Sequence, residues 1–411
     1  MDSFEWTAAT LKPSRTNSNQ SAKHFSNTSD STTEGSPESS RWCKSKTIQN
    51  RLEPKCKALL EHERQRVSNQ PTFSMINLLS DTVTQPSQAM REAMMNAVVG
   101  DDVFGEDPTV NELQQFGAKL LGHEAALFCP SGTMTNQIAI KLHTHALDEV
   151  ICDKTSHVYN YETGGAAFNS RVTMNLLDGR NGKITADQVE AAVKDHYDWL
   201  PTSRLVVIEN TCNKGGGSIY SFEEMRSIRE VCDRHDLRLH LDGARLFNAL
   251  VETGDDPAAV GPVFDSVSIC LSKGLGAPVG SLLLGGVEFI RRARRFRKVM
   301  GGGMRQAGII AAGGLFALRN NINRLKIDND RAKRLGAHLQ QLPYVTGVRP
   351  VRSNILIFDL HPEIGAKEFV RQLSQNGIQA SAFGPQTVRF VTHMDLSEAD
   401  ISQTEAVLSG M

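Results

Sequence analysis

A lysine and an aspartate, each at the end of a short apolar run, carry the strongest chemical signal in this 411-residue sequence. Lys273 sits in Ser268-Ile269-Cys270-Leu271-Ser272-Lys273-Gly274-Leu275-Gly276. Asp242 follows Leu237-Arg238-Leu239-His240-Leu241 and opens Asp242-Gly243-Ala244-Arg245. Apolar runs of this length read as buried strands, and open α/β sheets bind ligands beyond the carboxyl ends of their strands. A lysine and a carboxylate so placed suit pyridoxal phosphate. The amine forms a Schiff base with the aldehyde, and the acid keeps the pyridine nitrogen protonated. Taken singly, a lysine after serine reads as a solvated surface residue and an aspartate before glycine as a turn. The two together, in this order, carry the cofactor reading.

Three further sites are chemically suggestive. Ser131-Gly132-Thr133 follows the apolar run 125–128 and opens a helical pattern. Backbone N–H groups and a hydroxyl at a helix N-terminus can hold a phosphate, and the same tripeptide also suits a plain N-cap. His157, in Ser156-His157-Val158-Tyr159, follows a strand pattern that ends at Cys152, and Tyr161 lies four residues on. An imidazole there can stack on a planar cofactor or simply belong to a loop. Gly301-Gly302-Gly303-Met304-Arg305 presents an arginine after three glycines, either as a flexible hinge or as an anion-binding loop. The charge run 291–298 upstream of it reads as a solvated helical face. Nucleotide motifs fail: Gly274-Leu275-Gly276 followed by Gly280 has the wrong last spacing and leads into a strand pattern, and Gly182-Lys183 lacks the Ser or Thr of a P-loop.

The elements that must position these residues alternate between strand and helix, which predicts an α/β fold with a mostly parallel sheet. Strands are expected at 125–128, 149–152, 205–209, 237–241 and 279–284. Helices are expected at 86–98 with Thr84 as N-cap, and at 109–121, 135–143 and 222–235. A long helix is expected over 307–325, with strands at 354–360 and 388–391 in a smaller sheet. Residues 75–320 are therefore read as a cofactor-binding large domain and 321–411 as a smaller C-terminal α+β domain, the change falling between about 305 and 335. Residues 1–70 are rich in Ser, Thr, Asn and charge and read as a disordered extension, with one short helix near 55–66. Their acid-poor stretch 10–28 suits a mitochondrial presequence, against which stand Asp2 and Glu5, so a cytoplasmic location is expected.

Composition excludes several classes. A formal net charge of −1 gives no reason to expect a nucleic-acid partner. No apolar run reaches the roughly 18 residues a membrane span requires. Seven cysteines without CxxC spacing argue against a structural zinc site or a disulfide framework, and no metal is expected.

The segments Leu79-Ser80-Asp81-Thr82-Val83-Thr84, Val99-Gly100-Asp101-Asp102-Val103-Phe104-Gly105-Glu106-Asp107-Pro108-Thr109, His240 to Arg245, Leu271-Ser272-Lys273-Gly274 and Gly301 to Gln306 resemble those of the low-specificity L-threonine aldolases. The likeness covers residues 75–411. It implies a pyridoxal-phosphate enzyme of the aspartate-aminotransferase fold type that cleaves L-threonine and L-allo-threonine to glycine and acetaldehyde, in threonine catabolism and glycine formation. It also implies a homotetramer with sites at dimer interfaces. Carried over residue by residue, Lys273 matches the Schiff-base lysine, Asp242 the pyridine partner and His157 the stacking ring. Gly132 and Thr133 match the phosphate cup, and Ser80, Arg245 and Arg389 the substrate-carboxylate group, with Tyr161 beside it. Arg305 matches an arginine that reaches a neighbouring subunit's cofactor. The base for the β-hydroxyl is His157 or a bound water. Where many members carry histidine after Glu-Asn-Thr, this sequence has Cys212, which is expected either to grip the hydroxyl weakly or to pack as a small apolar residue. The alternatives are another pyridoxal-phosphate lyase, phenylserine-type or β-eliminating, and a non-catalytic relative. Intact Lys273, Asp242, Arg245 and Arg389 argue against the last.

Overall fold

The computed structural model describes residues 75–411. The readings made for residues 1–70 lie outside the described residues.

Thirteen strands run along the described chain: Ile76–Asn77 (β1), Ala125–Cys129 (β2), Asp148–Asp153 (β3), Thr173–Leu177 (β4), Thr202–Glu209 (β5), Arg238–Gly243 (β6), Ser266–Cys270 (β7), Ser281–Gly285 (β8), Val345–Val348 (β9), Ile355–Leu360 (β10), Ile378–Gln379 (β11), Ser381–Ala382 (β12) and Thr387–Val391 (β13). Seven of them form one sheet in the order β2-β8-β7-β6-β5-β3-β4. Its neighbours are parallel except at β8, which runs against both β2 and β7. Both faces are covered, as the near-continuous apolar strands require. In β5, Val206 and Ile208 pack with Ile228 and Val231 on one face. Leu205 and Val207 pack with Ile140 on the other, the period-2 alternation of a strand. The resulting mixed, mostly parallel α/β sheet agrees with the sequence reading.

Several helices start where capping chemistry dictates. Asp107 caps Pro108–Leu120, Ser131 caps Gly132–His143, and Ser221 forms a capping box with Glu224 at Phe222–Arg234. Three expectations are corrected. The first helix is Gln88–Met95 with Ser87 as its cap, because the Thr84 hydroxyl turns back to the Asp81 carbonyl at 2.5 Å. The expected helix over 307–325 is two, Gly308–Asn320 and Leu325–Leu339, since Asn321 leaves the first and donates its amide to the Leu275 carbonyl. The charge run lies on the helix Val287–Val299 but is not all solvated. Arg297 is buried, donating to the Phe128 carbonyl at 2.7 Å and to the Asp102 carboxylate at 2.5 Å.

A second sheet, ordered β12-β13-β10-β9, is antiparallel throughout. Its core joins Leu356, Phe358 and Phe390 to Leu335 and Leu373, and it includes Ile76 and Leu78 from the start of the described chain. β1 pairs in parallel with β11, and the Val391 N–H donates to the Leu78 carbonyl. This docking brings Leu79, Ser80 and Asp81 to β13 and its Arg389. Among the described residues no helix is long and apolar enough to cross a membrane.

Candidate active site

Asp242 ends β6 and is buried. Its Oδ2 accepts from the side-chain amide of Asn136 at 3.0 Å, and the same amide donates to Glu162 Oε1 at 2.9 Å. Glu162 also accepts from Gln137 at 2.6 Å and from His157 Nδ1 at 2.9 Å. The ring of His157 is therefore clamped from one edge, and Tyr161 stands 5.5 Å away, tilted by 37°. The backbone N–H of His157 donates to Glu209 at the end of β5, and the other oxygen of Glu209 accepts from the N–H of Asn213, both at 2.8 Å. Burial and the nearby Asp242 charge push Glu209 up to about 7. Burial opposes the charged form of His157, but the Glu162 hydrogen bond and the charges of Asp242 and Glu162 outweigh it and raise the imidazole above its ordinary value. His157, Glu162 and Asp242 offer ligand atoms within 4.8 Å of one another, and hydrogen bonds from Asn136, Gln137 and His157 itself already engage Glu162.

Lys273 follows β7, half-buried, close enough for its charge to act on both Asp81 and His157. On the far side of β8, the helix Gly132–His143 begins. Ser131 satisfies the N–H of Met134, so the N–H groups of Gly132 and Thr133 and the exposed Thr133 hydroxyl face out of the helix end. A Cβ at Gly132 would lie 3.5 Å from the hydroxyl of Ser281, which is buried without a hydrogen-bond partner among the described residues.

The arginines of the carboxylate group meet across the two sheets. Arg245 donates through Nε and Nη2 to both oxygens of Asp81, each at 2.7 Å, and this fork is buried. Asn354 donates to the same carboxylate at 3.0 Å. Arg245 thus has one edge committed and Nη1 remaining. Arg389 donates to Asn213 Oδ1 at 3.0 Å and to the Leu79 carbonyl at 2.9 Å, and stacks 4.8 Å from the centre of the Phe383 ring. Its Nε is buried without a partner among the described residues. Burial and the facing charge of Arg245 push Arg389 down to about 10. Two guanidiniums against one carboxylate leave the site short of an anion. Ser80 accepts from the N–H and hydroxyl of Thr82, at 3.2 and 2.9 Å, which leaves its own O–H to donate.

A family model described as beta-eliminating lyase matches residues 77–362. The chain is 39% identical over 336 residues to low-specificity L-threonine aldolase 1 of Arabidopsis thaliana, covering 80% of this chain and 94% of that protein. It is 40% identical over 334 residues to the low specificity L-threonine aldolase of Escherichia coli strain K12, covering 81% of this chain and 98% of that one. The chain belongs to the low-specificity L-threonine aldolase family. A Leishmania major threonine aldolase structure superposes with a TM-score of 0.70 at 23% identity, covering 82% of this chain and 99% of that chain, which supports the shared fold.

As a threonine aldolase family member the chain is a pyridoxal-phosphate lyase, and its residues fit that group. Lys273 offers the amine and Asp242 a buried carboxylate with one oxygen not engaged by Asn136. The helix end at Gly132 and Thr133, beside the unpartnered Ser281 hydroxyl, offers donors for a phosphate. The structure thus links His157, Asp242 and Arg389 through Asn136, Glu162, Glu209 and Asn213, and sets Arg245 on Asp81, next to Ser80 in the chain and within reach of the Lys273 charge. Arg305 lies apart from these residues, on the surface, paired with Asp101 at 2.8 Å. Sequence reasoning missed Asp81, Asn136, Glu162 and Glu209 as site residues. Asp81 stood inside a quoted motif; Asn136 had no spacing signal, since its partners Glu162, Asp242 and His240 lie 26 or more residues away, while Glu162 and Glu209 are each tied to the site both locally and at a distance. Cys212 is buried in the core with its thiol on the Glu209 and Gly182 carbonyls, at 3.0 and 3.3 Å, so the packing expectation holds and the hydroxyl-gripping one is corrected. The thiol is small enough to fill this space, where burial and the Glu209 charge raise it far above its ordinary value.

Proposed function

We propose that the protein cleaves L-threonine and L-allo-threonine into glycine and acetaldehyde. The observation that carries this reading is the anion-deficient pair Arg245 and Arg389, set on a buried Asp81 that also feels the charge of Lys273. Such a site takes the carboxylate of an amino acid and turns its Cα toward the lysine. Arg389 donates through its free Nε edge, Arg245 through Nη1, and Ser80 through its hydroxyl. When bound on Lys273, pyridoxal phosphate supplies the electron sink for the pair released as the Cα–Cβ bond breaks. Asp242 keeps a proton on the pyridine nitrogen, while Gly132 and Thr133 hold the phosphate. His157 covers the ring face. Glu162 holds its Nδ1–H, so that in the neutral ring Nε2 is the nitrogen that takes the β-hydroxyl proton, and the raised basicity of the imidazole favours that transfer. Tyr161 flanks His157 on the exposed side and narrows the space beside the substrate.

A second reading, loss of a β-substituent, is supported by the description of the matching family model. Product analysis separates the two. Holoenzyme given either threonine diastereomer is expected to release glycine and acetaldehyde in equal amounts. A 2-oxo acid with ammonia would overturn the aldolase reading in favour of elimination, and no turnover of either diastereomer would overturn both. We also infer assembly into a homotetramer in which Arg305 serves the neighbouring subunit's cofactor. Its exposure just after the loop Gly301–Gly303 supports this, as do the exposed apolar Val98, Val99 and Phe104 that flank its partner Asp101 in sequence.

A further inference from the structure

Behind Asp242 an unbroken file of polar groups, buried except for the half-buried His143, runs between the large sheet and the helix Gly132–His143. Asn136 Oδ1 lies 3.2 Å from His240 Nε2, His240 Nδ1 lies 2.8 Å from the Ser266 hydroxyl, and that hydroxyl lies 2.7 Å from His143 Nε2. His143 closes the file at the end of its helix, stacked 4.6 Å from the Phe289 ring. None of these groups touches the place assigned to cofactor or substrate, yet the file ends on Asp242 itself.

The proton positions along the file follow from one fixed point. The amide nitrogen of Asn136 faces two carboxylates, Glu162 and Asp242, and has two hydrogens to give them. Reversed, the amide would turn its oxygen onto both carboxylates. Asn136 Oδ1 is therefore an acceptor, and His240 Nε2 must carry a hydrogen. His240 is fully buried, and burial together with the neighbouring His143 pushes it down to about 3, so it is neutral and its Nδ1 is bare. The single hydrogen of Ser266 then goes to His240 Nδ1, and the Ser266 oxygen accepts from His143 Nε2. Burial likewise pushes His143 down to about 4. Every donor in the file points toward the carboxylates, and no member can be reversed without reversing all of them.

We propose that His240 is a positioning residue for Asp242: its Nε2–H engages Asn136 Oδ1 and locks the amide whose nitrogen the two carboxylates orient, so that Asn136 holds Asp242 Oδ2 and leaves the other carboxylate oxygen for the pyridine nitrogen. The inference rests on the reading of Asp242 as that nitrogen's partner, and it assigns His240, Ser266 and His143 a part in setting the cofactor's charge. A side chain of the same volume but without the Nε2 hydrogen would leave Asn136 Oδ1 without its donor and loosen the amide's hold on Asp242.

Two measurements test this. In cofactor-free protein with 15N-labelled histidine, NMR should show His240 as the neutral Nε2–H tautomer from about pH 5 to about pH 8. An Nδ1–H tautomer or a protonated ring would overturn the proposal. In protein loaded with 15N-labelled pyridoxal phosphate, the wild-type pyridine nitrogen should be protonated. His240→Phe should move its shift toward the unprotonated value and weaken cofactor affinity by about ten-fold, the scale expected for a buried acceptor left alone. His240→Gln should restore both, because its amide gives Asn136 an N–H and Ser266 an oxygen. Identical behaviour of the Phe and Gln variants, or an unshifted nitrogen in the Phe variant, would refute the positioning role. If the Phe variant does not fold, the wild-type tautomer decides. An unprotonated nitrogen in wild type, or one that stays protonated in Asp242→Asn, would instead defeat the reading of Asp242, while the tautomer result stands on its own.

Discussion

Replacing Asp81 with asparagine strikes the charge balance on which the substrate grip depends. Asp81 is fully buried and accepts from Arg245 twice, at 2.7 Å each, and from Asn354 at 3.0 Å. Burial works to raise its pKa, but the charge and hydrogen bonds of Arg245, with Lys273 and Asn354, hold the carboxyl well below the usual carboxylate range. Asparagine keeps the volume, removes the charge and turns an N–H₂ toward donors. Breaking a buried pair by removing one partner costs about 3–5 kcal/mol. Asp81→Asn should lower the unfolding free energy by about that amount in urea titrations. Arg245, no longer held, should also lose its charge-assisted contact with the substrate, worth about 1.5–3 kcal/mol, so KM for L-threonine should rise on the order of 10- to 100-fold. Because the folded-state value of Asp81 is depressed, its stabilisation is present above the unfolded value near ~3.9 and fades as pH falls through the folded one. The gap between wild type and variant should therefore be widest near neutrality and narrow in strong acid. Aldehyde release in a coupled assay gives KM. A variant with the wild-type urea midpoint and the wild-type KM would refute the claim that Asp81 sets Arg245.

Arg389→Ala should raise KM on the same order of magnitude, roughly 10- to 100-fold, with a smaller change in kcat, since its free edge grips the ground-state carboxylate as well; equal loss in both constants would show that it acts elsewhere. Cys212→Ala should leave the ratio of specificity constants for L-threonine and L-allo-threonine unchanged, and Cys212→His should cost about 1–3 kcal/mol of stability by overpacking a core position; a changed ratio in the Ala variant would contradict its burial. For Glu209, raised to about 7 in the folded protein, the native state holds its proton longer than the unfolded chain does. Stability should therefore fall as pH rises from about 4.5 to about 7, and Glu209→Gln should flatten that slope; parallel pH curves for the two proteins would show that Glu209 titrates normally.

The alternation of apolar runs made the large sheet legible, because buried parallel strands such as Leu205 to Ile208 need no partner-specific signal. Lys273 and Asp242 were legible because strand ends in such a sheet are where ligands bind. What the sequence hid was pairing over distance. Asp81 looked like part of a motif, and only the docking of β1 beside β11 shows that it neutralises Arg245, 164 residues away. Arg297 was one of several arginines in a charge run until the fold buried it on Asp102. Asn136 sat inside an ordinary helix, and its importance rests on facing Asp242 and Glu162 at once. The break at Asn321 and the shift of the first helix to Ser87 came from single side chains choosing tertiary or local backbone partners over helix continuation. β4 was missed because Thr173 and Asn175 interrupt its apolar pattern on a sheet edge.

The most direct test is to map the lysine that carries the cofactor. Holoenzyme reduced with borohydride, digested and sequenced by mass spectrometry should carry the pyridoxyl group on the peptide containing Lys273, and Lys273→Ala should lose both the label and turnover. A label on another lysine, or an active Lys273→Ala protein that retains the bound cofactor's visible absorption, would contradict the account.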